Sequence, residues 1–216
     1  MSPAALERQL RSLLRRGYAP GSAADVLAGR DRLVHVTFDD AYRSVADALP
    51  VLQRLGMPAT VFACAGFADD GAPLRVPELA HVVDEAPDEF ATLRWDELGE
   101  LAELGIEIGS HTITHPHLPR LSDAALAREL ADSRQRIGDE LGLRCRYLAY
   151  PYGDEDERIR AAARRAGYEA AFALPGRRRP LDPMRIPRVD FYWRDQALRA
   201  RLKLSPFHWW RYGSRP

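Results

Sequence analysis

The sequence predicts an α/β fold in which parallel strands alternate with helices and form a sheet or a barrel. Short apolar, β-prone segments alternate with longer segments whose leucines recur at helical spacing, and no segment has the pattern of an antiparallel hairpin. The chain has 216 residues, which suits one well-buried domain, and it contains no internal repeat or linker. These observations predict a single domain without fixing the number of its strands.

Periodicity places the elements of this domain along the chain. Helices are predicted where apolar residues recur every three to four positions, in most cases before a glycine: 3–16, 23–28, 45–55, 78–83, 95–104, 122–141, 155–165 and 196–204. Strands are predicted at the apolar runs between them: 33–38, 59–65, 106–110, 146–150, 168–174 and 185–189. The irregular, proline-containing stretch 67–90 is expected to form loops at the rim of a substrate site.

The composition limits the partners that the chain is expected to have. The 31 Lys and Arg residues balance the 31 Asp and Glu residues, which argues against nucleic acid or an anionic membrane as a partner. No run approaches the roughly 20 apolar residues of a membrane span, and the N-terminal segment lacks the apolar core of a signal peptide. We therefore expect a cytoplasmic protein, unless an upstream segment is missing. Nothing in the sequence indicates the oligomeric state.

Two pairs of polar residues follow predicted strands and predict a metal site. His111 and His115 lie just beyond the strand 106–110, and Asp39 and Asp40 lie just beyond the first strand. Because the C-terminal ends of parallel strands gather at one rim, we expect these side chains to be neighbours. Two imidazoles and one carboxylate leave open positions on a divalent cation, which is typical of catalytic zinc. Co²⁺, Ni²⁺ and Mn²⁺ also suit such ligands.

The two aspartates are expected to have different roles. Adjacent side chains at a strand end point to opposite sides, so one carboxylate can bind the cation while the other acts as a general base. The alternative for Asp40 alone is the N-cap of the following helix. His117 is left outside the ligand set, because it would share a face with His115 only in an extended segment.

Three motifs in order resemble a known family. They are Thr-Phe-Asp-Asp at 37–40, His-Thr-Ile-Thr-His-Pro-His-Leu at 111–118 and Tyr-Pro-Tyr-Gly at 150–153, with Ala-Thr-Val-Phe at 59–62 in addition. This chain resembles the polysaccharide deacetylase family (carbohydrate esterase family four), closely over about 34–168. The resemblance implies a distorted (β/α) barrel of about seven parallel strands. It also implies metal-dependent removal of acetyl groups from an N-acetylated sugar or polysaccharide.

The family's functional residues carry over onto the matching positions of this chain. The resemblance implies that Asp39 is the catalytic base and that Asp40, His111 and His115 hold the metal, most often Zn²⁺. Pro151 and Tyr152 would line the acetyl site, and the main-chain N–H of Tyr152 would help to stabilise the oxyanion. We expect a catalytic barrel over 31–190, an N-terminal helical cover over 1–30 and an aromatic C-terminal tail over 191–216.

The sequence departs from the family pattern at three points. Ala149 stands where the family often has an arginine that orients the base, and Arg188 is the hypothesised replacement, through a bidentate pair with Asp39. The late histidine that serves as general acid in the family has only His208 as a weak candidate. Ala41 replaces the common glycine after the two aspartates.

Three functional interpretations remain open from the sequence. The leading one is a hydrolase in which a metal-associated water, deprotonated by Asp39, attacks the acetamide carbonyl. The second is a hydrolase of another non-peptide C–N bond. The third is a non-catalytic carbohydrate-binding or scaffold protein, supported by Ala149 and the missing late histidine. Intact ligands and an intact base argue against this third reading.

Overall fold

The computed structural model describes residues 1–174, 182–191 and 203. Its strands are β1 (Ala19–Pro20), β2 (Leu33–Val34), β3 (Val36–Phe38), β4 (Ala59–Ala63), β5 (Glu107–Ser110), β6 (Tyr147–Ala149), β7 (Ala170–Ala173) and β8 (Ile186–Pro187). Its α-helices are α1 (Pro3–Arg15), α2 (Ala23–Leu27), α3 (Leu49–Leu55), α4 (Ala80–Glu85), α5 (Trp95–Glu103), α6 (Asp123–Leu141) and α7 (Glu157–Ala166).

The six strands from β3 to β8 form one curled parallel sheet in sequence order. The described residues thus form an incomplete barrel, which confirms the predicted α/β fold of the distorted (β/α) type. The resemblance implied about seven strands, and the main sheet has six within the described part of the chain. The predicted helix over 196–204 and the aromatic tail lie outside the described residues, apart from Phe191 and Lys203.

The prediction of one strand over 33–38 is wrong, because the strand is interrupted at His35. Strand β2 pairs with β1 in a separate two-stranded sheet, and β3 pairs with β4 in the main sheet. The imidazole of His35 lies between the two sheets, with Nδ1 at 3.0 Å from the Gly21 carbonyl oxygen and Nε2 at 2.8 Å from Thr60 Oγ1. Burial lowers the pKa of this histidine.

The predicted helix over 45–55 begins in a tighter conformation than expected. Residues Arg43–Ala48 form a 3₁₀ helix, and the α-helix α3 starts only at Leu49. Pro50 stands at the beginning of α3. It has no N–H to donate to the carbonyl four residues earlier, so regular α-helical bonding cannot run through this point.

The longest helix follows the prediction more closely, since Ser122 caps α6 by accepting a hydrogen bond from the Ala125 N–H.

Both faces of the central strands are buried, as is usual for a parallel sheet. On one face, Phe62, Tyr147, Phe172 and Ile186 fill the concave interior. The alternate residues of the same strands pack against the helices, and they include Val61, Ala63, Ile108, Leu148 and Ala171. This alternation fixes which residues can emerge at the C-terminal rim. None of the helices in the described part of the chain combines the length and the hydrophobicity of a transmembrane span.

Candidate active site

Three side chains converge at the C-terminal rim of the sheet. Asp40 follows β3, and His111 and His115 lie in the loop after β5. Asp40 Oδ1 is 3.4 Å from Nε2 of His111 and 3.4 Å from Nε2 of His115, and one ligand atom of each residue lies within 4.8 Å of the others. The residues predicted to share a site are therefore neighbours in space.

The donor set fits a divalent cation. The histidine side chains are only 2% and 8% exposed, and that of Asp40 is 21% exposed. Asp40 Oδ1, the atom that faces both imidazoles, is buried and has no hydrogen-bond partner in the described part of the chain. A buried carboxylate oxygen without a partner is costly, and a cation at this point would satisfy it. Two nitrogen ligands and one oxygen ligand suit zinc and similar metals.

The backbone around the site orients one imidazole for this task. His111 Nδ1 is 2.8 Å from the carbonyl oxygen of Ala149, which can only accept a hydrogen bond. Nδ1 therefore carries the proton, and Nε2 presents a lone pair towards Asp40 and His115. The Nδ1 atom of His115 is buried and has no hydrogen-bond partner among the described residues.

Burial shifts the pKa values of the three converging side chains and so determines their protonation states. It lowers the pKa of His111, and it lowers that of His115 to about 4, so both imidazoles are neutral near pH 7. Burial also raises the pKa of the Asp40 carboxyl, and the repulsion from Asp39 adds to this. Neutral imidazoles are the form that binds metals, and a cation would favour the ionised form of Asp40.

Asp39 lies beside this cluster and is held by an arginine from the other end of the sheet. Arg188 follows β8 and donates to Asp39 Oδ1 at 2.6 Å, to Oδ2 at 2.8 Å and to Thr37 Oγ1 at 3.0 Å. The bidentate pair hypothesised from the sequence is thus present, and it links the first and last strands of the main sheet. Burial favours the neutral acid, but the charge and the hydrogen bonds of Arg188, together with the two nearby histidines, outweigh it and lower the pKa of Asp39 to about 2.

Left-handed backbone conformations are concentrated at this rim. The φ angles are 67° at Asp40, 51° at Ala41, 72° at Thr112, 58° at His115 and 59° at Tyr152. Each costs roughly 1–2 kcal/mol for an L-residue, and such strain gathers at functional sites. It also explains the family preference for glycine at position 41, where Ala41 instead buries its methyl group in the core.

Tyr152 closes the other side of the site. It lies in the turn Pro151–Gly153 directly after β6. Its ring is 4.6 Å from that of His115, edge to face, and is stacked on His117 at 3.9 Å. Its hydroxyl donates to Glu78 Oε2 at 3.1 Å. Glu78 comes from the irregular stretch expected at the rim, but no spacing in the sequence pointed to this residue.

His117 takes part in the rim rather than in the ligand set. Its Nδ1 is 3.0 Å from Asp154 Oδ2, and its Nε2 is 3.0 Å from Glu78 Oε1. Hydrogen bonds to these two carboxylates raise the pKa of His117. Both ring nitrogens are therefore engaged away from the three converging side chains, as expected from its spacing to His115.

Comparison with known protein families shows which family the chain belongs to. A model of the polysaccharide deacetylase family matches residues 27–171. The chain belongs to the polysaccharide deacetylase family. Family membership, expected from the three motifs, is thereby confirmed. His208 lies outside the described residues, as does the rest of the aromatic tail apart from Phe191 and Lys203.

Three relatives differ in the fraction of this chain that they match and in the fraction of their own length that this chain covers. The protein YxkH of Bacillus subtilis (strain 168) is 30% identical over 140 residues, which are 64% of this chain and 43% of YxkH. The chain thus spans less than half the length of that relative. The structure of IcaB from Ammonifex degensii is 26% identical, with a TM-score of 0.75 over 95% of this chain and 90% of IcaB. BC0361, a polysaccharide deacetylase from Bacillus cereus, is 25% identical, with a TM-score of 0.64 over 82% of this chain and 52% of BC0361.

Proposed function

We propose that the protein is a metal-dependent deacetylase that hydrolyses the N-acetyl group of an N-acetylated sugar or polysaccharide. One observation carries this proposal: Asp40, His111 and His115 converge around a carboxylate oxygen that has no hydrogen-bond partner within residues 1–174, 182–191 and 203. A second carboxylate, that of Asp39, lies beside them. A binding protein would need neither the metal ligands nor the adjacent base. Membership of the polysaccharide deacetylase family supports the same substrate class.

The three converging side chains would hold the cation, most often Zn²⁺. When bound, the cation lowers the pKa of water towards neutrality and polarises a carbonyl group. Asp39 then acts as the general base that accepts a proton from the attacking water. Its low pKa keeps it ionised at every physiological pH. A base of low pKa would be sufficient, because water whose own pKa is lowered gives up its proton to a weaker base.

Arg188 would act through Asp39 rather than on the substrate. The two parallel hydrogen bonds fix both carboxylate oxygens, so the base is held in one orientation at the site. This is the role that the family often gives to an arginine at the position of Ala149. The non-catalytic interpretation relied partly on the loss of that arginine, and the Arg188–Asp39 pair weakens it.

The turn at Tyr152 would supply the oxyanion contact. Its backbone has φ 59°, and the residue follows Pro151 immediately beyond the strand end. A main-chain N–H in this position, together with the cation, would stabilise the negative charge that develops on the acetyl oxygen. Pro151 is buried and Tyr152 is half-buried, which suits a small apolar acetyl group between them. Collapse of the tetrahedral species breaks the C–N bond, and the proton that Asp39 accepted passes to the departing nitrogen, so that acetate and a free amine are released.

Acetate release tests the proposal directly. N-acetylglucosamine oligomers of increasing length are incubated with the wild type, with chelator-treated protein and with Asp39→Asn. We expect release from the wild type, loss with chelator, recovery with Zn²⁺ or Co²⁺, and a loss of at least about 100-fold in Asp39→Asn. Asp31→Asn, at an exposed aspartate, is the matched control and should remain active. Metal-loaded protein that releases acetate from no oligomer would contradict the proposal.

A further inference from the structure

Residues 111–115 form the loop that carries both histidine ligands, and we call this segment the ligand loop. The loop bends sharply, since Thr112 has φ 72° and His115 has φ 58°. Both angles are disfavoured by L-residues, so the bend persists only if its surroundings hold it. The separation of the two imidazoles depends on this bend. Whatever holds the ligand loop therefore also controls the geometry offered to a metal.

Glu129 on helix α6 makes three hydrogen bonds to the outer side of this loop. Its Oε2 accepts from the N–H of Ile113 at 2.8 Å and from the N–H of Thr114 at 3.1 Å. Its Oε1 accepts from the hydroxyl of Thr114 at 2.8 Å. One carboxylate thus binds two successive main-chain donors between the two histidines. Hydrogen bonds to an ionised acceptor are stronger than neutral ones.

The inner side of the ligand loop is held by the turn that follows β4. The N–H groups of Ala65 and Gly66 donate to the carbonyl oxygens of Thr112 and Ile113, both at 3.0 Å. Gly66 is required for this approach, because a Cβ there would lie 2.8 Å from the Ile113 carbonyl oxygen. The loop is therefore clamped between the turn after β4 on one side and Glu129 on the other.

Helix α6 is a rigid support for Glu129. The neighbouring residue Leu130 is fully buried, and so is Ser133 one turn further on. The hydroxyl of Ser133 lies 2.8 Å from that of Ser110, the last residue of β5. The same strand that leads into the ligand loop thus anchors the helix that supports it.

From this arrangement we infer that Glu129 is a positioning residue of the metal centre, which keeps His115 at the correct distance and angle from His111. The inference rests on the metal site proposed above, and it adds a residue that none of the three motifs contains. Glu129 touches neither the substrate nor the metal. It acts through the backbone of Ile113 and Thr114, so its loss should weaken metal binding before it weakens the fold.

Zinc affinity of the metal-free protein, measured by competition with a chromophoric chelator, tests this inference. Glu129→Ala should bind Zn²⁺ about 10- to 100-fold more weakly than the wild type, as is typical when an outer partner of a metal ligand is lost. Glu129→Gln should recover most of this loss, because the amide oxygen can accept from both N–H groups while its NH₂ donates to the Thr114 hydroxyl. Glu140→Ala, at an exposed position of the same helix, is the matched control and should bind like the wild type.

Two further measurements separate positioning from general destabilisation. The visible absorption spectrum of the Co²⁺-loaded protein should change in Glu129→Ala and remain unchanged in Glu140→Ala, since it reports the geometry around the metal. If Glu129→Ala does not fold, Thr114→Val replaces it, because this exposed position loses one of the three bonds. Weaker zinc binding by Thr114→Val then supports the inference.

The outcomes distinguish the inference from the function on which it rests. A wild type that binds zinc while Glu129→Ala binds it equally well, with the same Co²⁺ spectrum, overturns the role of Glu129 alone. Unchanged affinity in Thr114→Val, where that variant is needed, does the same. A wild type that binds no zinc overturns the metal site itself and this inference with it.

Discussion

Replacing Arg188 by methionine should separate the orientation of the base from its charge. The change removes three hydrogen bonds, two to Asp39 and one to Thr37, but retains an unbranched side chain over the rings of Phe62 and Phe172. Breaking a buried ion pair from one side costs about 3–5 kcal/mol. The Asp39 side chain keeps 35% of its surface exposed, so water can solvate part of the abandoned charge. We therefore expect about half of that cost, about 2 kcal/mol.

Arg188→Met should lose more activity than its loss of about 2 kcal/mol in folding stability can account for. Without Arg188 the pKa of Asp39 returns towards its ordinary value, yet the carboxylate remains ionised between pH 7 and pH 8. Any loss of activity in this range therefore reflects orientation rather than protonation. A general base contributes about 10²–10⁴-fold, and we expect a misaligned base to lose at least about tenfold in kcat/KM, mainly in kcat. Arg188→Lys should not restore it, because an ammonium cannot form the bidentate pair.

The assay is steady-state acetate release at several pH values, with thermal unfolding of each variant. Arg160→Met is the matched control: its guanidinium is 11% exposed and pairs with Glu155 and Glu157, away from the site. It should lower the melting temperature by a similar few degrees, with kcat unchanged. Equal kcat/KM in the Arg188 and Arg160 variants would refute the orienting role. So would a loss in Arg188→Met that is recovered simply by raising the pH.

Three further changes test other parts of the site. Gly66→Ala places a Cβ 2.8 Å from the Ile113 carbonyl oxygen, so it should displace the ligand loop and weaken zinc binding. Zinc affinity is measured by chelator competition, and an unchanged affinity would contradict the role of Gly66 in holding the ligand loop. Tyr152→Phe removes the bond to Glu78 but keeps the ring contacts, so kcat/KM should fall by no more than about tenfold with zinc affinity unchanged. The pKa of His35 is lowered in the folded protein, so just below pH 6.5 the unfolded chain binds more protons than the folded one. The free energy of unfolding of the wild type should therefore fall as the pH is lowered through this range. In metal-free His35→Gln, urea unfolding should show a shallower fall, by up to about 1.4 kcal/mol per pH unit.

Local sequence was enough to predict which three side chains converge at the rim, but not the residues that support them. Asp40, His111 and His115 each follow an apolar strand, and parallel strands bring their ends together whatever the rest of the chain does. The order of the six main strands likewise follows from simple alternation. The positions of these side chains and the order of the strands depend on apolar patterns over short stretches of the chain, and such patterns can be read from a single sequence.

The supporting contacts could not be predicted because they join distant positions that have no common pattern. Tyr152 meets Glu78 across 74 residues, and Arg188 meets Asp39 across 149. The second pair was hypothesised only because an expected arginine was absent at position 149. The break at His35 was missed for a related reason: an apolar run predicts a strand, but the two hydrogen bonds of the imidazole are made to other segments.

These supports also offset part of the strain at the rim. The rim combines disfavoured backbone angles at Asp40, Thr112 and His115 with a buried Asp40 oxygen that no other described residue hydrogen-bonds. Each of these raises the energy of the folded state. Glu129 and Arg188 offset part of that cost by charged hydrogen bonds on opposite sides of the cluster. A cation would offset a further part of this cost by pairing with the Asp40 oxygen. Metal binding and stability should therefore be coupled, so that Zn²⁺ raises the melting temperature of the wild type more than that of any variant lacking one of these supports.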